Sequence, residues 1–419
     1  MTLTTTTSFA QTLATPTAIT DPKQVPIKPN AQVEQAQQSL SLERLYMARQ
    51  IGRPSWSPDG KWISFVTNTS GRNNVWLMTA EGGWPTQLTV SEQRQTQARW
   101  SPDGKWIAYI SDYDGDEQWD IFIVSPKAGQ VVNLTHTREI SEEDPTWSSS
   151  GRYLAYTVKP KTSSTYEIDV YDMVMRDVKH VTMNTTADLS NEGPIWAKDE
   201  KHIVYTQSQA KGTNSNIFIA EVATGKGTLL TPHEGEQLYT ASDLSPDGKT
   251  VLITSNAANG YENVGLLDVA SKKIKWLTED KWEIRAGNFS RDGKAVVWTA
   301  NVDGNTNIYL HELGSGKTTQ LPLPQGVNEP AGGLSPFSPD GTRMLYNHSG
   351  ANAPGDLWEY TLSTGKSRQL THSLLAGTRP EDMVEPYLVH YPSKDGKWAI
   401  SALLYVPYNM QKNGQNAAI

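Results

Sequence analysis

Three groups of side chains in this 419-residue chain have types and spacings suited to chemistry. Glu142-Glu143-Asp144 sets carboxylates side by side, and a carboxylate pair is apt for holding an ammonium group. The competing reading is a solvated loop. Asp112-Tyr113-Asp114-Gly115-Asp116 alternates carboxylates as a calcium loop does. Its Gly stands at the wrong position and no bidentate Glu follows at the required spacing, so a polar hairpin loop is expected. His136, His233 and His372 each follow a Leu-Thr pair and would project from one rim. Three His can ligate a metal, although three separate loops rarely converge on one. No metal or cofactor is therefore expected. The chain has no Cys, which excludes disulfides, thiolate sites and cysteine catalysis. It contains no Gly-x-Ser-x-Gly; Gly314-Ser315-Gly316 is a turn between strands, so no catalytic nucleophile is assigned.

The elements that must position these groups repeat. Trp-Ser-Pro-Asp-Gly-Lys begins at Trp56 and again at Trp100. Related hexapeptides begin at Trp147, Trp196, Leu244, Phe289 and Phe337, at spacings of 44 to 49 residues. Each reads as a strand end, a tight turn and a new strand, because Gly tolerates positive φ and Asp bonds its own backbone. Copies three and four are degraded: Ser150-Gly151, and Lys198-Asp199-Glu200-Lys201 with no Gly, for which type I geometry is expected. A second ladder runs in step. Strand openings occur at Asn74, Asp120, Glu167, Asn216, Asn263, Asn307 and Asp356. Closing pairs are Leu88-Thr89, Leu134-Thr135, Val181-Thr182, Leu230-Thr231, Leu277-Thr278 and Leu370-Thr371, with Leu321-Pro322 in the sixth copy.

A repeat of this length with four short strands marks a β-propeller blade. A four-stranded sheet with two apolar faces is insoluble alone and must be covered by its neighbours. The expected fold is all-β: a seven-bladed β-propeller of four-stranded antiparallel blades. Its leading aromatics pack between sheets. The ring is expected to close by face packing of first against last blade, with no strand from 30–50 or 385–405 swapped across the seam. Residues just before each leading aromatic, including Arg53, Arg99, Glu192 and Arg285, would line the central channel.

The expected organisation is a disordered tail over 1–40, the propeller over 41–378, and a linker with further strands over 379–419. A short helix capped by Ser41 precedes the first strand. Ser8-Phe9-Ala10-Gln11 looks like the end of a signal peptide, which would make the protein periplasmic or secreted; an ordinary floppy tail reads equally well. Net charge is −8, against a nucleic-acid partner. No apolar run reaches membrane-spanning length. Past the repeats, Glu385 to Tyr391 alternates like a strand, Ser393-Lys394-Asp395-Gly396-Lys397 repeats the blade turn, and Ala399 to Pro407 makes another strand. The chain then stops at Ile419, which reads as a cut.

Seven such blades with this tail resemble the prolyl oligopeptidase family of serine peptidases, especially its acylaminoacyl- and dipeptidyl-peptidase-like members. The residues carrying the likeness at the join are Tyr391, Ser393, Asp395-Gly396, Ala402 and Leu404-Tyr405-Val406-Pro407. The resemblance implies that an α/β-hydrolase domain follows and that 379–419 are its truncated start. It implies that peptide substrates reach a triad this chain lacks, and that the propeller covers the active site and selects short peptides. Dipeptidyl peptidases hold a substrate amino terminus with paired acids, the role in which Glu142 and Glu143 are candidates. Two rival readings are a stand-alone Tol-type periplasmic propeller that binds proteins, and a propeller-type metal-dependent polysaccharide lyase using the rim histidines.

Overall fold

The computed structural model describes residues 17–27, 47–127, 129–184, 186–331, 333, 335–374, 380, 383–408 and 410–415. The expected helix around Ser41 and the segment Ser8 to Gln11 lie outside them. Within them the regular structure is β, apart from a 3-10 turn at Pro22–Gln24. No helix among the described residues is long and apolar enough to cross a membrane.

Five antiparallel four-stranded sheets follow in chain order over 51–87, 95–133, 140–180, 189–229 and 239–276. An eight-stranded sheet spans 283–369. Its halves, 283–320 and 327–369, each repeat the four-strand order and are joined by a parallel bridge between Thr306 and Val327.

The Ser-Pro-Asp-Gly turn shows why the motif recurs. Ser57 Oγ donates to Asp59 Oδ1 (2.6 Å) and accepts from Trp62 N (2.9 Å), while Asp59 Oδ1 also accepts from Lys61 N (3.1 Å). Gly60 at φ +68° closes the turn onto Ser57 O. The same wiring recurs at Ser101/Asp103, Ser245/Asp247, Ser290/Asp292, Ser338/Asp340 and Ser393/Asp395. The hydroxyl and carboxylate together satisfy the turn amides that the ladder leaves unpaired.

The second ladder is a single hydrogen-bonded device. The closing Thr accepts from the amide that follows the strand-opening residue and also bonds that residue's side chain. Thr89 thus takes Val75 N and donates to Asn74; Thr231 takes Ile217 N and donates to Asn216; Thr371 takes Leu357 N and donates to Asp356.

Neighbouring sheets cover one another's apolar faces. One buried cluster joins Trp56, Ile63 and Phe65 of the first sheet to Leu345, Leu357 and Leu370 of the last half-sheet. Three of the four leading Trp make the same indole tie to the neighbouring sheet, while Trp100 Nε1 is buried without a partner. Trp147 Nε1 donates to Arg99 O (3.1 Å), Trp196 Nε1 to Thr146 O (2.9 Å), and Trp56 Nε1 to Pro336 O (3.0 Å). The turns nest likewise: a Cβ on Gly104 would touch Pro58, one on Gly151 would touch Pro102, and one on Gly60 would touch Pro339. Among the described residues no strand from 47–50 or 385–405 joins the first sheet or the last half-sheet. Phe337 departs from the register of its counterparts. Its half-sheet's first strand ends at Pro330, and Phe337 makes an isolated bridge to Met344.

After the last half-sheet, Tyr387–Pro392 and Ala399–Leu404 form a separate hairpin. Ile19 pairs with its free edge, through Ile19 N to Leu388 O (2.8 Å) and His390 N to Ile19 O (3.0 Å).

Candidate functional site

The first strand of each of the first five sheets, and of the first half of the eight-stranded sheet, carries a register shift. At four of the shifts the extra residue is left-handed: Arg53, Gln97, Asp144 and Gly193, at φ from 52° to 65°. Bulges re-aim side chains, and non-Gly residues at positive φ are held there by their surroundings. Here the surroundings are visible. Asp144 N donates to Gln97 Oε1 (2.8 Å), so one bulge supports the next. Arg99 donates to Pro145 O (2.9 Å) and Thr146 Oγ1 (3.0 Å) and reaches Asp144 Oδ1 at 3.5 Å. Burial lowers the Arg99 pKa, Asp144 opposes that, and Arg53 adds to it, so the two arginines share one field.

Glu142 and Glu143 follow one another on the strand Ile140–Trp147, in register with Val158 and Thr157. Successive strand residues face opposite sides of a sheet, and these two have separate surroundings. Glu142 is 3% exposed; its Oε1 accepts from Thr137 Oγ1 and its Oε2 is buried with no hydrogen-bond partner. Burial pushes its pKa up to about 8, with Asp120 and Asp169 adding to the rise against the Thr137 hydrogen bond. At pH 7 it is therefore mostly neutral.

Glu143 is half-buried and accepts from Ser141 Oγ (3.0 Å) and Tyr166 OH (3.1 Å). Burial raises the Tyr166 pKa, and Glu143, Glu192 and Asp144 raise it further. One carboxylate, Glu143, thus bonds the phenol while two more act on it electrostatically, with Lys159 Nζ 4.9 Å from that ring's centroid. The sequence marked Glu143, Asp144 and Glu192 separately; it gave no sign that Tyr166 and Lys159 join them. Arg285 stands apart, paired with Glu262 at 2.7 Å.

The other predicted groups do not converge. His136 and His372 are exposed, whereas His233 bonds Thr231 O and Asn214 Oδ1. Among the described residues no three or more of His, Asp and Glu form a group able to hold a metal. The carboxylates of the 112–116 loop serve that loop and its neighbours. Asp112 takes Arg94 N, Asp114 takes Gln93 Nε2, and Asp116 Oδ1 takes Tyr113 N and Gln118 N.

Sequence reasoning also missed a meeting of Asp303, His390 and Ser401. Both His390 Nε2 (3.1 Å) and Ser401 Oγ (2.5 Å) bond Asp303 Oδ1. A nucleophilic triad needs the imidazole between hydroxyl and carboxylate, so this wiring does not activate the serine. No sequence signal pointed to it, since the partners lie 87 and 98 residues apart.

A family model described as the TolB beta propeller domain matches residues 37–214 and 158–396. The Tol-Pal system protein TolB of Francisella tularensis is 26% identical over 168 residues, which is 39% of this chain and 37% of that protein. Dipeptidyl-peptidase 5 of Porphyromonas gingivalis is 25% identical over 235 residues, covering 55% of this chain and 27% of that one. Among solved structures, prolyl oligopeptidase B from Galerina marginata superposes with a TM-score of 0.69 at 16% identity, over 89% of this chain and 57% of its own. The chain thus spans less than two thirds of the length of each of these relatives. What it shares with the prolyl oligopeptidase is the propeller-like fold of four-stranded antiparallel sheets. Because the matched segments together run from 37 to 396, the chain belongs to the family of TolB beta propeller domains.

Proposed function

We propose that this chain is the seven-bladed propeller of a serine peptidase of the prolyl oligopeptidase family, and that it covers the active site and admits short or unfolded peptides. The observation carrying this reading is the hairpin Tyr387–Pro392 and Ala399–Leu404, which sits outside the repeated sheets yet packs on one of them. The reading takes it as the opening of a hydrolase domain. The relation to dipeptidyl-peptidase 5 and the fold shared with a prolyl oligopeptidase support it. Within it, the half-buried Glu143, with Glu192 beside Tyr166, meets the peptide ammonium group. Glu142, buried and neutral, is left to hold the sheets together.

The test is twofold. The isolated 419-residue chain should not hydrolyse peptide amides, and codons downstream of Ile419 should encode Gly-x-Ser-x-Gly. Turnover by the isolated chain, or a stop codon directly after Ile419, sinks the reading. The relation to TolB favours a second one, a propeller that binds a protein partner without catalysis, and a stop codon would leave it ahead.

A further inference from the structure

The Asp303 cluster has a role in how the molecule is held together. Asp303 and Gly304 form the two-residue turn between Ala295–Val302 and Asn305–Glu312, at φ +53° and +83°. Such turns favour Asp-Gly and normally point the carboxylate at water. Here the Asp303 side chain is only 2% exposed, because the hairpin Tyr387–Pro392 and Ala399–Leu404 lies on it. One oxygen, Oδ1, receives both Ser401 Oγ and His390 Nε2; the other, Oδ2, is buried with no hydrogen-bond partner. A buried carboxylate is tolerated only where charged or hydrogen-bonding groups replace its water. The two replacements come from the two strands of one hairpin, and the strand bearing His390 also carries the backbone pairing to Ile19.

We propose that Asp303 is a latch: one turn carboxylate fixes the hairpin, and with it the segment around Ile19, against the rim of the propeller. Releasing it frees both segments while the sheets stay folded. This does not rest on the peptidase reading, since it concerns only groups in contact here.

The test is amide hydrogen exchange on the full chain. Asp303→Gly keeps the turn, because Gly-Gly suits the same geometry, and removes the carboxylate. Exchange should quicken by about tenfold or more at the amides of 388–391 and 400–403 and at Ile19. The strand Thr250–Ser255 should keep its wild-type protection. Asp303→Asn, which retains an acceptor, should fall between. Unchanged hairpin exchange in Asp303→Gly overturns the proposal, as does equal acceleration in every sheet. Should Asp303→Gly fail to fold, Ser401→Ala and His390→Gln carry the test: a local rise in either supports the latch, and wild-type exchange in both overturns it.

Discussion

Replacing Glu142 by Gln gives a variant whose stability relative to wild type should change sign with pH. Glu142 occupies a place that neighbouring sheets fill with amides. Gln95, Glu142 and Asn191 each lie near the start of their sheet's first strand and bond, through the backbone amide, to the residue just before the preceding sheet's third strand, at Asn73, Trp119 and Tyr166. Gln95 accepts from Thr89, and Asn191 donates to Glu167. A neutral Glu142 does the same work; a charged one sits buried beside Asp120. Its folded pKa of about 8 lies above the ordinary 4.5, so between those values the native state holds the proton and the unfolded state releases it. Stability must therefore fall as pH rises through that window, by about 1.4 kcal/mol per unit and on the order of 5 kcal/mol in all. Gln does not titrate. Near pH 5 the variant should be equal to wild type or about 1 kcal/mol less stable, because its NH2 brings unpaired donors. Near pH 9 it should be the more stable by several kcal/mol. Urea unfolding of both proteins at pH 5, 7 and 9 measures the difference, which cancels every other titration they share. Parallel curves across that range would refute the assignment of a neutral, amide-like carboxyl.

Other substitutions test the remaining devices. Gly326 lies at φ +136° and a Cβ there would collide with Ser349 O, so Gly326→Ala should cost roughly 3 kcal/mol or more by chemical denaturation. Thr231→Val removes the acceptor for the Ile217 amide and should cost about 1–2 kcal/mol, read in the same way. Glu200 stands left-handed where other copies have Gly, and its carboxylate holds Ser149 Oγ, Ser150 N and Ser150 Oγ, where four other copies have Pro and Asp. Glu200→Gly alone should therefore destabilise by about 1 kcal/mol, whereas Ser149→Pro combined with it should recover most of that loss; a thermal melt that ranks the double variant below the single one contradicts this pairing.

The repeat was legible because its determinants are local. The turn motif needs a Ser, an Asp and a Gly within four residues, and the closing Thr lies about 15 residues after the opening Asn, Asp or Glu in every copy but the sixth, as at Asn74 and Thr89. What stayed hidden depends on neighbours in other sheets. Nothing beside Glu142 tells that Asp120 and Asp169 face it, so its neutrality and its separation from Glu143 emerge only from the packing. Tyr166 joins Glu143 across 23 residues, and Glu200 replaces a missing Pro across 51. The leading aromatics fixed the copies but not the shift at Phe337, which keeps full burial while leaving the strand register.

The bond from Trp56 to the Pro336 carbonyl joins residues separated by 280 positions. On a ribosome adding some 5–20 residues per second, roughly a quarter to a full minute passes between synthesis of the two. Throughout that interval the outward face around Ile63 and Phe65 has no cover from its eventual partner. Contacts so distant form late and slowly. The nascent chain is accordingly most open to aggregation or chaperone capture at its earliest-made sheet, and that hazard ends only when the last-made half-sheet arrives.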